Sequence, residues 1–312
     1  MIQAPKLERG GEVRVVAVGE GLARLPRAQL EQAAAALQRL GFAVRLAPHA
    51  RDAGPLGGPS PQDAAADLNE ALADPAVSLV LCAAPGGAAA PLLPLVDYDL
   101  ARRNPKWLAG GGRAAALLCA VWARAGLPAC HGPCFTALAG TQGQVRYTLE
   151  SLALCCAQGA PYYWRPAPGG EALRVWRQGM AAGRAVAAGL DELNLLQGTP
   201  YFPPLEDAVL FVGAPSGSQG RPCWPERLAA GLHSLFQQPG AARVRGLVLG
   251  GLEPDGALSP AQLDAILQGL PALRAKPIAL IPGPPAPAFC FAVGGTARLE
   301  LGEEARVCFA GA

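Results

Sequence analysis

Charge is scarce in this chain of 312 residues: only 16% are Asp, Glu, Lys or Arg, and the formal net charge is +2. No block of like charge occurs, which excludes the electrostatic footprint of a nucleic-acid or acidic-membrane binder. Long apolar runs are missing too, since none reaches the ~18 residues a membrane span requires. The opening MIQAPKLERGGEVRVVAVG places charges where a signal peptide would have its apolar run, so a soluble, cytoplasmic protein is expected. Histidine is limited to His49, His131 and His233. The 9 cysteines lack the paired short spacings of a zinc site or a disulfide framework and are expected to be reduced thiols. No metal or other cofactor is implied.

Half of the sequence is apolar, enough to bury one large core or two ordinary ones, and two domains are expected. Ala, Gly, Pro and Arg are abundant throughout, a bias typical of GC-rich coding sequence, so Ala-rich loops carry less meaning than usual. Val13 to Val18 is a β-branched run, followed by an Ala/Leu-rich helical segment from Arg27 to Leu40 that ends at Gly41. Phe42 to Leu46 reads as a strand, Pro61 to Leu72 as a helix, and Val77 to Ala83 as a strand buried on both faces. This order predicts a parallel sheet with right-handed crossovers, whose ligands gather at loops leaving the carboxyl ends of strands.

Tyr147 to Ala157 reads as a helix, and the Pro, Gly and Trp mixture after it as a linker. A second α/β pattern follows, with strands at Ala208 to Val212, Arg245 to Leu249, Pro277 to Ile281 and Ala297 to Leu301. Helices are expected around Pro225 to Phe236 and Ala261 to Leu270. The predicted fold is α/β: an N-terminal parallel-sheet, Rossmann-like domain over 1–157, a linker over 158–171, and a smaller C-terminal α/β domain over 172–312.

Two loops fall at the ligand edge. AAPGGAAAP, Ala83 to Pro91, leaves the third strand, and WLAGGGR, Trp107 to Arg113, precedes a helix. Gly86, Gly87, Gly110, Gly111 and Gly112 are therefore the candidate ligand-binding residues, because glycines at a helix N-terminus expose amides to a carboxylate or phosphate. The bland reading is an ordinary turn, and no Lys or Ser/Thr completes a P-loop.

The other candidates read as structural. Cys130, His131 and Cys134 lack the second half of a zinc site, Cys155 and Cys156 are adjacent helix residues that bridge only with strain, and Cys82 ends a buried strand. Ser216 lies in an ordinary turn. The pairs Asp191/Glu192 and Glu206/Asp207 read as solvated or capping groups.

A set of strings in a fixed order resembles the LD-carboxypeptidase family of serine peptidases, which includes muramoyltetrapeptide carboxypeptidases and microcin C immunity peptidases. They are VRVVAV (13–18), DLNEALADPAV (67–77), LLPLVDYDL (92–100), NPKW (104–107), HGP (131–133), LLQGTPY (195–201), VLFV (209–212) and RGLVLGG (245–251). The resemblance implies a Ser–Glu–His triad, with the serine in G-Y-S-D at the start of a helix. Here that string is Gly110-Gly111-Gly112-Arg113, so the nucleophile position is Gly112. The glutamate position is Gly213 after VLFV, and Ala288 is the nearest counterpart of the histidine. The family's A-R-G-G-Y-G-x-x-R loop has Ala84, Gly87 and Pro91 at its Arg, Tyr and Arg positions, and its G-G-N-L asparagine is Gly189.

Losing every member of a triad removes the unit. The expected function is therefore a catalytically inactive homologue acting as a binding, scaffolding or regulatory subunit. The resemblance implies a homodimer or a heteromer with another protein, and a small peptide or carboxylate as ligand. The alternatives are different amide-processing or condensation chemistry in the same cleft, using Cys82, Ser216 or substrate groups, or residual LD-carboxypeptidase activity in peptidoglycan recycling.

Overall fold

The computed structural model describes residues 2–156, 161–215, 225–252, 258–282 and 289–310. The first sheet is built from β1 (Glu12–Val16), β2 (Ala43–Leu46), β3 (Val77–Cys82), β4 (Trp107–Gly110) and β5 (Ala129–His131). Between them run α1 (Arg27–Gln38), α2 (Pro61–Ala73), α3 (Tyr98–Arg103) and α4 (Ala115–Ala125). These strands pair in parallel in the order β5-β4-β3-β1-β2. Apolar runs such as VSLVLC and WLAG suit central strands covered by helices on both faces.

The helix ends follow local chemistry. Pro61 starts α2 behind Ser60, whose hydroxyl accepts the Asp63 N–H at 3.1 Å. α4 stops at Gly126 in the left-handed region, φ 66°. At the strand origins, Arg14 is buried and its guanidinium meets Glu12 at 2.5 Å and Asp74 at 2.9 Å.

α5 (Gln142–Cys155) leads on to β6 (Tyr162–Tyr163), β7 (Arg174–Arg177), β8 (Gly179–Gly189), α6 (Leu190–Leu196) and β9 (Ala208–Gly213). Then come α7 (Pro225–Phe236), β10 (Gly246–Leu252), α8 (Pro260–Gln268), β11 (Ile278–Pro282), β12 (Phe291–Val293), β13 (Thr296–Leu301) and β14 (Arg306–Ala310). The second sheet has the order β6-β14-β13-β8-β9-β10-β11-β7, parallel from β8 to β11 and antiparallel at both margins. The α/β class expected from the pattern is the class observed.

The linker expected over 158–171 contributes β6, which borders the second sheet. β12 leaves the C-terminal part of the chain and pairs antiparallel with β5, Phe291 against His131 and Val293 against Ala129. The first sheet has six strands and the second eight. β8 was not legible as a strand. GMAAGRAVAAG has little β-branching, yet it lies at the centre of the second sheet, between β13 and β9. Small residues are required there, since a Cβ on Gly183 would sit 2.0 Å from the Asp207 carbonyl oxygen.

Candidate functional site

The turn from β4 into α4 keeps the strand–turn–helix form of a nucleophile elbow. Gly112 sits at φ +56°, the sharp conformation that lifts a nucleophile above a sheet edge. The space above it is filled. A Cβ at this position would lie 2.5 Å from the carbonyl oxygen of Pro85 and 2.8 Å from its Cβ.

Two amides of the turn are occupied as well. The Arg113 N–H donates to the Pro85 carbonyl at 2.9 Å, and the Gly111 N–H donates to Cys134 Sγ at 3.3 Å. The Gly110 carbonyl accepts from Gly132 at 2.8 Å. Of the expected anion cradle, Gly111 therefore offers no free amide, and Gly110 is covered by Cys82, whose Sγ would lie 2.7 Å from a Cβ there. The reason is local packing: the loop after β3 folds down onto the elbow and satisfies donors that would otherwise be orphaned at a helix start.

Gly86 and Gly87 belong to that loop. Glu20 N–H donates to the Gly86 carbonyl at 3.1 Å, and the Glu20 carboxylate lies over Gly86, 2.1 Å from where a Cβ would stand. Gly87, at φ +77°, is pressed against Gly19 and Glu20, so no side chain fits there without movement. Both glycines serve close packing between the loops that follow β1 and β3. Ala84 is buried and Pro91 exposed.

Gly213 differs from Gly112. It ends β9 in register with Gly189 of β8 and Gly250 of β10, and a Cβ would meet nothing closer than 3.5 Å. Ala288, along with Ser216, lies outside the described residues.

Sequence reasoning missed the charged pair beside the elbow. Glu192, expected to be solvated or capping, is 9% exposed. Its carboxylate folds back on Gly189 at the start of α6 and stands 3.7 Å from the Arg113 guanidinium. Burial raises its pKa, and the nearby Arg113 opposes the shift. Arg113 was expected to fall at the Asp position of G-Y-S-D, and that reversal of charge was the available signal. Asp191, its neighbour, points outward to Arg227 at 2.7 Å.

The thiols and histidines are placed by packing. Cys82 is buried and its pKa is pushed well up by desolvation; Cys134 is pushed up to about 12 for the same reason. Neither is a thiolate nucleophile at neutral pH. His131 pairs with Gly110 across β4 and β5. Its Nδ1 is buried with no partner among the described residues, and burial lowers its pKa to about 4. His49 Nδ1 meets the buried Asp67 carboxylate at 2.9 Å, and that hydrogen bond raises the His49 pKa. His233 lies on α7 beside Gly269.

Residues 13–132 match the family model described as the LD-carboxypeptidase N-terminal domain. The chain is 29% identical over 316 aligned residues to the carboxypeptidase homologue YocD of Bacillus subtilis strain 168, covering 95% of each. An MccF-like protein from Bacillus anthracis superposes with a TM-score of 0.90 at 26% identity, covering 100% of both chains. A muramoyltetrapeptide carboxypeptidase from Oxalobacter formigenes shares the fold, with a TM-score of 0.75 at 19% identity, covering 96% of this chain and 98% of that one. The resemblance to the LD-carboxypeptidase family is thereby shown, and the fold is MccF-like.

Proposed function

We propose that the protein is a non-hydrolytic member of the LD-carboxypeptidase family, retained as a binding, scaffolding or regulatory subunit. One observation carries this reading. The Pro85 carbonyl occupies the space above Gly112 and accepts the Arg113 N–H. In an elbow, the side chain at the first position attacks, and the amide of the next residue helps hold the oxyanion. Here one loop takes up both places, in addition to the missing hydroxyl.

Two features accompany it. Glu20 and Glu192 border the elbow with Arg113, which disfavours a strongly acidic peptide such as the family's substrates. Cys82, one of the nucleophiles named for alternative chemistry, is buried and its pKa is pushed well up. A homodimer, or a heteromer with a catalytically complete relative, is the assembly this reading calls for.

The test uses the purified full-length protein and an LD-linked muropeptide. Release of the C-terminal amino acid is expected to equal the buffer rate. Turnover by the wild type that disappears in Arg113→Ala or Glu192→Gln would overturn the reading. Light scattering with and without an active family member reports the assembly.

A further inference from the structure

The fold brings Cys130 onto the Cys155–Cys156 pair, 25 residues further along the chain. Cys130 lies in β5, while Cys155 ends α5 and Cys156 follows it, and the sulfur atoms of all three lie within 4.8 Å of one another. They are 0%, 2% and 0% exposed. Cys290 is also fully buried. Because Cys130 pairs with Ala292, Cys290, the residue just before β12, is its diagonal neighbour.

The surrounding contacts hold this arrangement. Ser151 Oγ, one turn before Cys155 on α5, accepts the Cys290 N–H at 2.7 Å. The Tyr162 hydroxyl, from β6, donates to the Cys290 carbonyl at 3.2 Å.

A single buried thiol is a small hydrophobe. Converging sulfurs are a different chemical object, because thiolates are the form that binds soft metals. A tetrahedral zinc site with Zn–S bonds of 2.3 Å has sulfurs about 3.8 Å apart, a separation within the span of this cluster.

We propose that Cys130, Cys155 and Cys156, with Cys290 as the fourth sulfur, form a buried site for a thiophilic d10 cation, zinc(II) or copper(I). Each ligating thiol gives its proton to solvent as its metal–sulfur bond forms, with no change in oxidation state. Such a site clips together the end of α5, β5 and the approach to β12, the last of them well over a hundred residues further along the chain, so its affinity contributes to folding.

The experiment uses the full chain, denatured under reducing and anaerobic conditions and refolded with zinc(II), with copper(I), or with neither. Elemental analysis after desalting is expected to find stoichiometric metal and to identify which ion is kept. The refolded metal form should melt higher than the metal-free form. Cobalt(II) substitution is expected to give thiolate-to-metal charge-transfer absorption. Cys155→Ser should lose the metal, while Cys308→Ser, outside the cluster, should keep it. If Cys155→Ser does not fold, the wild-type cobalt spectrum decides. Native refolding that retains neither metal, equal retention by Cys155→Ser, or a disulfide among these cysteines in the native protein overturns the proposal.

Discussion

At Gly112 and Gly213 the same residue type has opposite meanings. Gly112 has a positive φ and no room for a Cβ, whereas Gly213 has room. Gly112→Ser is accordingly expected to lower the thermal midpoint and to show no muropeptide hydrolysis, since the new hydroxyl must displace Pro85. Gly213→Glu should leave the midpoint close to wild type, and paired melting curves check the contrast.

His131 carries a pH prediction. Its folded pKa of about 4 lies below the ordinary 6.5, so between those values the unfolded chain binds a proton that the folded chain refuses. Stability is full above pH 6.5 and falls as the pH drops through the window, by about 1.4 kcal/mol per unit and on the order of 3 kcal/mol in all. His131→Asn should flatten that part of the urea-midpoint profile. In an NMR titration, the His49 resonance should move the other way, titrating above the ordinary histidine range because its hydrogen bond to Asp67 favours the charged ring.

Among the elements, the first sheet was the most legible. Its strands are continuous apolar runs and its helices carry caps that can be read locally, as at Ser60-Pro61 and Gly126. β8 and β12 were not, because a Gly/Ala strand and a three-residue strand owe their state to neighbours and not to their own propensity. Arg14 shows how much a neighbour decides: a charged residue in a β-branched run is tolerated because Glu12 and Asp74 meet it. Arg14→Ala should cost about 3 kcal/mol in urea unfolding, since it leaves the largely covered Glu12 carboxylate with only the exposed Arg45 at 3.6 Å and removes the partner of Asp74.

For the whole molecule, β12 ties the C-terminal part of the chain into the N-terminal sheet. A fragment ending at residue 157 would expose β5 as an unpaired apolar edge. Expressed alone, it is expected to be insoluble or to form oligomers, and co-expression with residues 158–312 should restore solubility; sedimentation of the two preparations checks this. No helix among the described residues is long and apolar enough to cross a membrane.

By itself the sequence determined the α/β class, the family resemblance and the identities at Gly112 and Gly213, because these rest on periodicity, ordered strings and residue type. Only the tertiary structure decided that Pro85 covers Gly112, that Glu192 turns inward to Arg113, and that Cys130 meets the Cys155–Cys156 pair. Those facts depend on contacts between segments far apart in the chain, and local pattern carries no information about which distant surfaces will be buried together.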